Sequence, residues 1–165
     1  MTQVAPETLR DAMERFPTGV TVVTAVGPSG PAGATANAVV SLSLEPPMML
    51  ACLDLGSRTL VAVEHARIFG INILAGDQAD VARRFSTKDP HPEKWDGIAW
   101  SERAGVPTID GAASWLACEL AEVHDGGDHS IFVGQVLSSS RSADAKALLF
   151  YGGGYHHVTP PGLSA

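Results

Sequence analysis

The alternation of hydrophobic and polar positions along the chain predicts strands far more often than helices. Val20-Thr21-Val22-Val23-Thr24-Ala25-Val26 is rich in β-branched residues and fits a strand. Gly27-Pro28-Ser29-Gly30-Pro31 follows as a tight turn with strong breakers. Residues 33–44 continue as an extended run, stopped by Glu45-Pro46-Pro47, so the two segments are expected to pair as a hairpin. On one continuous strand, Thr35, Asn37, Ser41 and Ser43 share a face, with Ala36, Ala38, Val40, Leu42 and Leu44 on the other. A row of small polar side chains beside a buried apolar face suits a polar ligand lying along the strand. The plainer reading is a half-exposed antiparallel strand with its hydroxyls in water.

Further strands are expected at Met48-Met49-Leu50-Ala51-Cys52-Leu53, buried on both faces, and at Ile68-Phe69-Gly70-Ile71-Asn72-Ile73-Leu74, which Asn72 interrupts. Residues 115–124 and 129–137 read as a hairpin around Asp125-Gly126-Gly127-Asp128, and residues 147–151 as a short apolar strand after a Ser-rich bend. Helical spacing appears in three places. Leu9, Ala12, Met13 and Phe16 form one apolar stripe, ended by Pro17 and Gly19. Ser57 can cap a helix over 58–65, and Asp77 can cap one carrying Val81 and Phe85 at i, i+4. Residues 86–97, with Pro90 and Pro92, read as a surface loop, and Thr108-Ile109-Asp110-Gly111 as a turn. Regular strand–helix alternation is missing. The expected fold is therefore mainly β with short helices, an antiparallel barrel closed or nearly closed on itself. No repeat or linker divides the chain, so residues 1–165 form a single domain, with 1–6 and 158–165 as loose ends.

Composition narrows the partners. A formal net charge of −7 speaks against general attraction to nucleic acid or an anionic membrane, so any anionic ligand needs a local site. No apolar run approaches the about 20 residues of a membrane helix, and no signal-peptide pattern opens the chain, which points to the cytoplasm. Cys52 and Cys118 each sit in an apolar run and read as buried thiols, with a disulfide between them as the alternative.

Ser57-Arg58-Thr59 is the best anion site: a helix N-terminus supplies unpaired N–H groups, two hydroxyls flank it, and Arg58 adds a bidentate donor. A plain helix cap with an exposed arginine explains the same residues. Arg83-Arg84-Phe85-Ser86 ends a helix, where cations complement the dipole; alternatively one arginine reaches a phosphate while Phe85 covers an aromatic ligand. His124, Asp125, Asp128 and His129 gather at a hairpin tip that His156 and His157 can join, but the spacing matches no metal signature, and no metal is assigned. His129 can instead point into a cleft. Walker, dinucleotide-glycine and Gly-x-Ser-x-Gly patterns are absent, so catalysis is expected from a bound cofactor.

Taken in order, Leu9-Arg10-Asp11-Ala12-Met13-Glu14-Arg15-Phe16-Pro17-Thr18-Gly19-Val20, Thr35-Ala36-Asn37, Ser41-Leu42-Ser43, Ser57-Arg58-Thr59, Asn72-Ile73-Leu74, Arg84-Phe85, Gly127-Asp128-His129 and Gly153-Gly154-Tyr155 resemble the short-chain flavin reductase family over nearly the whole chain. The resemblance implies an FMN-binding split barrel, usually a homodimer. It also implies oxidation of NADH or NADPH with reduction of FMN or FAD, handed on to a separate monooxygenase. By position, Thr35, Ala36 and Asn37 would line the isoalloxazine edge, and Ser41, Ser57, Arg58 and Thr59 would hold ribityl and phosphate groups. Asp54 and Asn72 join the cofactor-binding set. Arg84, Phe85 and Ser86 would close over the flavin's tail. His129 would sit where the nicotinamide stacks, as the catalytic residue that orients it, with Tyr155 bordering that pocket. The protein's task is then to hold nicotinamide C4 about 3–3.5 Å from flavin N5. With no extra basic cluster for a 2′-phosphate, NADH is favoured. Ala38, Gly56 and Gly70 depart from the family's more usual Ser, Ser and Ala. Two alternatives are a flavin carrier of the same fold without reductase activity, and a barrel binding metal through its histidine-rich turn and tail.

Overall fold

The computed structural model describes residues 3–89 and 91–159, and for 91 and 92 the backbone alone. A first helix, α1 (Pro6–Met13), leads through β1 (Thr18–Gly19) into the expected hairpin of β2 (Thr21–Gly27) and β3 (Gly30–Ala36). The extended run does not continue as one strand. It breaks at Asn37-Ala38 and resumes as β4 (Val39–Leu44), which pairs with β5 (Pro47–Asp54) through an irregularity between Ser41 and Ser43. The four polar residues therefore do not form one face: the breaks reset the two-residue period.

Next come α2 (Arg58–Ala66), β6 (Ile68–Ile73), α3 (Ala79–Ser86), α4 (His91–Trp95) and the hairpin β7 (Trp100–Arg103) to β8 (Val106–Ile109). The chain then runs through β9 (Ser114–Gly126), β10 (His129–Arg141), β11 (Ala147–Tyr151) and β12 (Gly154–Val158). Seven strands form an antiparallel sheet in the order β3-β2-β6-β9-β10-β5-β4, while β1, β11 and β12 make a smaller one. The large sheet curls until β3 approaches β5 without pairing to it. Cys52 N donates to Ala38 O at 3.0 Å, extending the β4–β5 ladder to the point where the chain leaves β3.

One core fills the inside of the curl, where Phe69 and Phe132 meet edge to face with centroids 5.0 Å apart. A second lies under α3 and α4, built from Val20, Val22, Leu74, Phe85, Trp95 and Leu148. Six local expectations need correction. Gln78, not Asp77, precedes α3, and its side chain accepts from Ala75 N at 3.0 Å. The expected surface loop contains α4, because Trp95 finds an apolar partner in Phe85. The expected turn at 108–109 is part of the fully buried β8, and the Ser-rich bend is the far end of β10. β5 is buried mainly at Ala51 and Leu53. Finally, α1 buries none of its residues: Leu9, Met13 and Phe16 are 60%, 50% and 60% exposed, so the stripe is real but none of the described residues covers it. As for the expected loose ends, Pro6 already opens a helix and Val158 ends a strand, while 1–2 and 160–165 lie outside the described residues.

Asn72 is a structural residue. It is 1% exposed, and its Nδ2 donates to Val22 O at 3.2 Å, Thr24 Oγ1 at 3.2 Å and Pro107 O at 3.4 Å. Its Oδ1 accepts from Ile109 N at 2.8 Å, tying the β7–β8 hairpin to the main sheet. Gly70 makes room for this network, since a Cβ there would lie 2.5 Å from Thr24 Oγ1.

Candidate functional site

At the seam between β3 and β5, a cavity of about 440 Å³ opens, within the range of small-molecule and cofactor sites. β3 is the last strand of the sheet, so its outer edge keeps backbone groups that no strand satisfies. Residues 34–38 line this side, including the predicted Thr35, Ala36 and Asn37. Thr35 Oγ1 donates to Ala82 O at 2.7 Å, which fixes β3 against α3.

The opposite wall is the end of β5 and the start of α2. Asp54 lines the cavity and uses Oδ1 to accept from Gly56 N at 2.7 Å, shaping the turn into the helix. Ser57 caps that helix as expected, its Oγ accepting from Thr59 N at 3.2 Å. Arg58 also reaches the cavity, donating to Asp89 O at 3.4 Å. Thr59 is 1% exposed, yet its hydroxyl has no partner among the described residues. A buried hydroxyl without a partner costs about 1–3 kcal/mol, and Thr59 lines the cavity, where a ligand could supply that partner.

Phe85 forms the floor and Ser86 the rim. Phe85 can lie against β3 only because residue 33 is glycine: a Cβ there would be 2.6 Å from Phe85 Cε1. Trp95 packs edge-on behind it at 4.8 Å.

His129, the first residue of β10, sits beside Asp54 in the sheet register and lines the mouth. Its Nδ1 lies 2.7 Å from Asp128 Oδ1. The hydrogen bond from His129, then its charge, holds the Asp128 carboxyl below its ordinary value. In the neutral ring, a donation from Nδ1–H to this carboxylate would leave Nε2 as the acceptor.

Four predicted site residues lie elsewhere. Asn72 is consumed in the buried network above. Ser41 stands on β4, exposed and away from the cavity, because the chain crosses the seam after Asn37. Arg84 does not border the cavity and donates to Glu93 O at 3.0 Å. Tyr155 packs on Phe150 at 5.4 Å under the Arg83 guanidinium; burial raises its hydroxyl pKa and Arg83 partly opposes the rise. Conversely, sequence reasoning missed Lys88, Asp89 and Lys94, which line the cavity from the segment read as a surface loop. The signal available was a lysine directly before a tryptophan, where an apolar anchor draws its neighbour inward. Cys52 also reaches the cavity, its thiol pKa raised by burial, while burial in the barrel core pushes Cys118 up to about 12.

A curled antiparallel barrel with a seam cavity offering hydroxyls, cations and an aromatic floor defines a nucleotide-cofactor binding protein. Comparison with known proteins makes the assignment narrower. Residues 13–159 match the model of the flavin reductase like domain. The chain is 38% identical over 158 residues to the reductase subunit HsaB of a flavin-dependent monooxygenase from Rhodococcus jostii (strain RHA1), covering 95% of this chain and 80% of the relative. An NADH-dependent FAD reductase of Streptomyces globisporus is 38% identical over 161 residues, with 92% and 85% covered. Among solved structures, the NADH:FAD oxidoreductase SgcE6 of Streptomyces globisporus C-1027 superposes with a TM-score of 0.86 at 35% identity, covering 97% of this chain and 99% of the other. The chain belongs to the flavin reductase-like domain family, and its fold is the split β-barrel of those reductases.

Proposed function

We propose that this chain is an NAD(P)H-dependent flavin reductase that supplies reduced FMN or FAD to a separate flavin-dependent monooxygenase. The observation that carries the reading is the seam cavity, where an orphaned Thr59 hydroxyl, the capped start of α2, an aromatic floor and His129 converge. These groups fit a flavin: hydroxyls and cations for its phosphate end, Phe85 and β3 for its ring. Residues 34–37 would hold the ring by the free edge of β3, and Ser57, Arg58 and Thr59 would hold the phosphate. When bound, the flavin supplies a hydride acceptor at N5. His129 Nε2 would accept from the nicotinamide carboxamide and orient that ring; Asp128 fixes the tautomer that makes this bond. Orientation is the protein's contribution, since hydride transfer needs no general base.

NADH consumption by the purified protein, with FMN, FAD or neither added, tests the reading. Rapid consumption only with added flavin identifies a reductase that releases its product; consumption without it identifies a tightly held group. Flavin binding without oxidation of either nicotinamide nucleotide would leave a carrier and sink the reductase reading.

Homodimer formation belongs to the same proposal. The apolar face of α1 and the edge strand β4, with Val40, Leu42 and Leu44 at 55%, 48% and 85% exposure, are surfaces that a second copy would cover. Sedimentation is expected to give twice the chain mass, and Leu42→Asp together with Leu44→Asp to shift it toward one. A single-chain mass for the unmodified protein would sink this element. No helix among the described residues is long and apolar enough to cross a membrane. Use of NADH and two unpaired cysteines support a reducing, cytoplasmic setting.

A further inference from the structure

We propose that Phe85, Trp95 and Trp100 form an electron-transfer ladder, giving the protein a second, light-driven activity in which an external thiol reduces the bound flavin through two indoles. This rests on the flavin reading of the cavity.

Three aromatic rings run in contact from the cavity to the surface. Phe85 is 1% exposed and forms the cavity floor. Trp95 meets it edge-on with centroids 4.8 Å apart, and Trp100 meets Trp95 at 5.1 Å. Burial falls in the same order, since Trp95 is 8% and Trp100 37% exposed. Trp95 also backs the β3 wall: a Cβ at Gly33 would stand 3.4 Å from Trp95 Cζ2, and Gly33 directly precedes the β3 residues that line the cavity. One indole therefore lies a single layer of protein behind the surface assigned to the flavin ring. Packing of α4 on α3 accounts for Trp95. It does not account for a second indole on β7 that continues the row into solvent.

Of these three rings only the indoles give up an electron readily, so Phe85 is a contact and Trp95 the first donor. Under illumination one electron passes from the Trp95 indole to the excited flavin, a cofactor that takes electrons singly. Trp95 cannot then shed its indole proton, because Nε1 is buried and has no acceptor among the described residues. The positive charge leaves instead by a second transfer, from Trp100 to Trp95. At the surface a thiol restores Trp100, losing one electron and one proton. Each photon thus moves one electron from thiol to flavin, and the two indoles end as they began.

Time-resolved absorption and fluorescence of flavin-loaded protein, without nicotinamide nucleotide and with binding checked first in the dark, test the assignment. Wild type should quench the flavin fluorescence and show an indole-radical absorption. Steady light with excess mercaptoethanol under argon should bleach the flavin band. Trp95→Phe should lengthen the flavin fluorescence lifetime several-fold. Trp100→Phe, at an exposed position, should keep the quenching but shorten the life of the radical several-fold, because the charge then returns from Trp95 to the flavin. Bleaching by the thiol should slow to match. Trp115→Phe is the control: its Nε1 is also unpartnered, but among the described residues no aromatic ring stacks on it, and all readouts should follow wild type. Unquenched fluorescence in wild type, or a radical equally long-lived in Trp100→Phe, overturns the proposal. So does a loss in Trp115→Phe as large as that in Trp100→Phe. Failure of wild type to bind flavin in the dark would instead remove the flavin reading itself.

Discussion

Asn72→Ala is expected to destabilise the fold by about 3–4 kcal/mol, at the upper end of what one side chain does. The substitution strands Ile109 N–H inside the protein and removes every donation from Nδ2 to Val22, Thr24 and Pro107. An unsatisfied buried donor alone costs about 1–3 kcal/mol, and the cavity left by the amide adds to it. In a chain this long the melting temperature should fall by roughly 10 °C, compared at equal protein concentration because assembly shifts it too. Asn72→Asp should do similar damage: it keeps the shape but sets an acceptor against the carbonyls of Val22 and Pro107. Flavin affinity of the folded protein should stay near wild type, because Asn72 does not border the cavity. A variant that melts normally but loses flavin would show that the network is not what Asn72 is for.

Asn72 also shows where legibility ended. A polar residue inside an apolar strand is visible in sequence, and the family resemblance places it in the cofactor-binding set. Its actual partners come from β2 and the β7–β8 hairpin, distant in sequence and not predictable from local pattern. By contrast, the β2–β3 hairpin and the Ser57 cap rest on turn chemistry contained within a few residues, and both form as expected. The run from Thr35 to Leu44 fails for an intermediate reason. Its two-residue alternation holds at Thr35-Ala36, but an irregularity between Ser41 and Ser43 breaks it within β4, where Val40, Leu42 and Leu44 are exposed, and the crossing at Asn37-Ala38 is set by the curl of the whole sheet. Thr35 and Asn37 consequently reach the cavity while Ser41 does not.

The α1 stripe and Lys94 carry related lessons. Periodicity identified a face that needs covering, but not whether this chain or another covers it. Composition assigned residues 86–97 to the surface, yet Trp95 anchors α4 on Phe85 and draws Lys94 into the cavity. Of the charges that a −7 chain needs locally for an anionic ligand, Arg58 lines the cavity as the sequence suggests, whereas Arg84 does not border it and Lys88 and Lys94 do. Of the histidine-rich turn, one part fits the site: His129 faces the cavity mouth, while His124 pairs with Glu122 at 2.8 Å on the exposed side of β9.

His129→Ala is expected to lower kcat/KM for the nicotinamide nucleotide roughly 10- to 100-fold, the range lost when a reactant is no longer held in register. Flavin affinity should change by less than about two-fold, because the groups assigned to the flavin lie on β3, α2 and α3 rather than on β10. Asp128→Asn should give a smaller loss of the same kind: the ring stays, but the carboxylate that fixes Nδ1–H as the donor is gone. Stability should hardly move in either variant, since the His129 and Asp128 side chains are 44% and 90% exposed. The measurement is a paired one, steady-state kinetics with NADH beside flavin titration on the same preparations. Equal losses of turnover and flavin affinity in His129→Ala would make the residue part of the flavin wall. A loss of turnover alone, partly reproduced by Asp128→Asn, assigns the Asp128–His129 pair to positioning the nicotinamide.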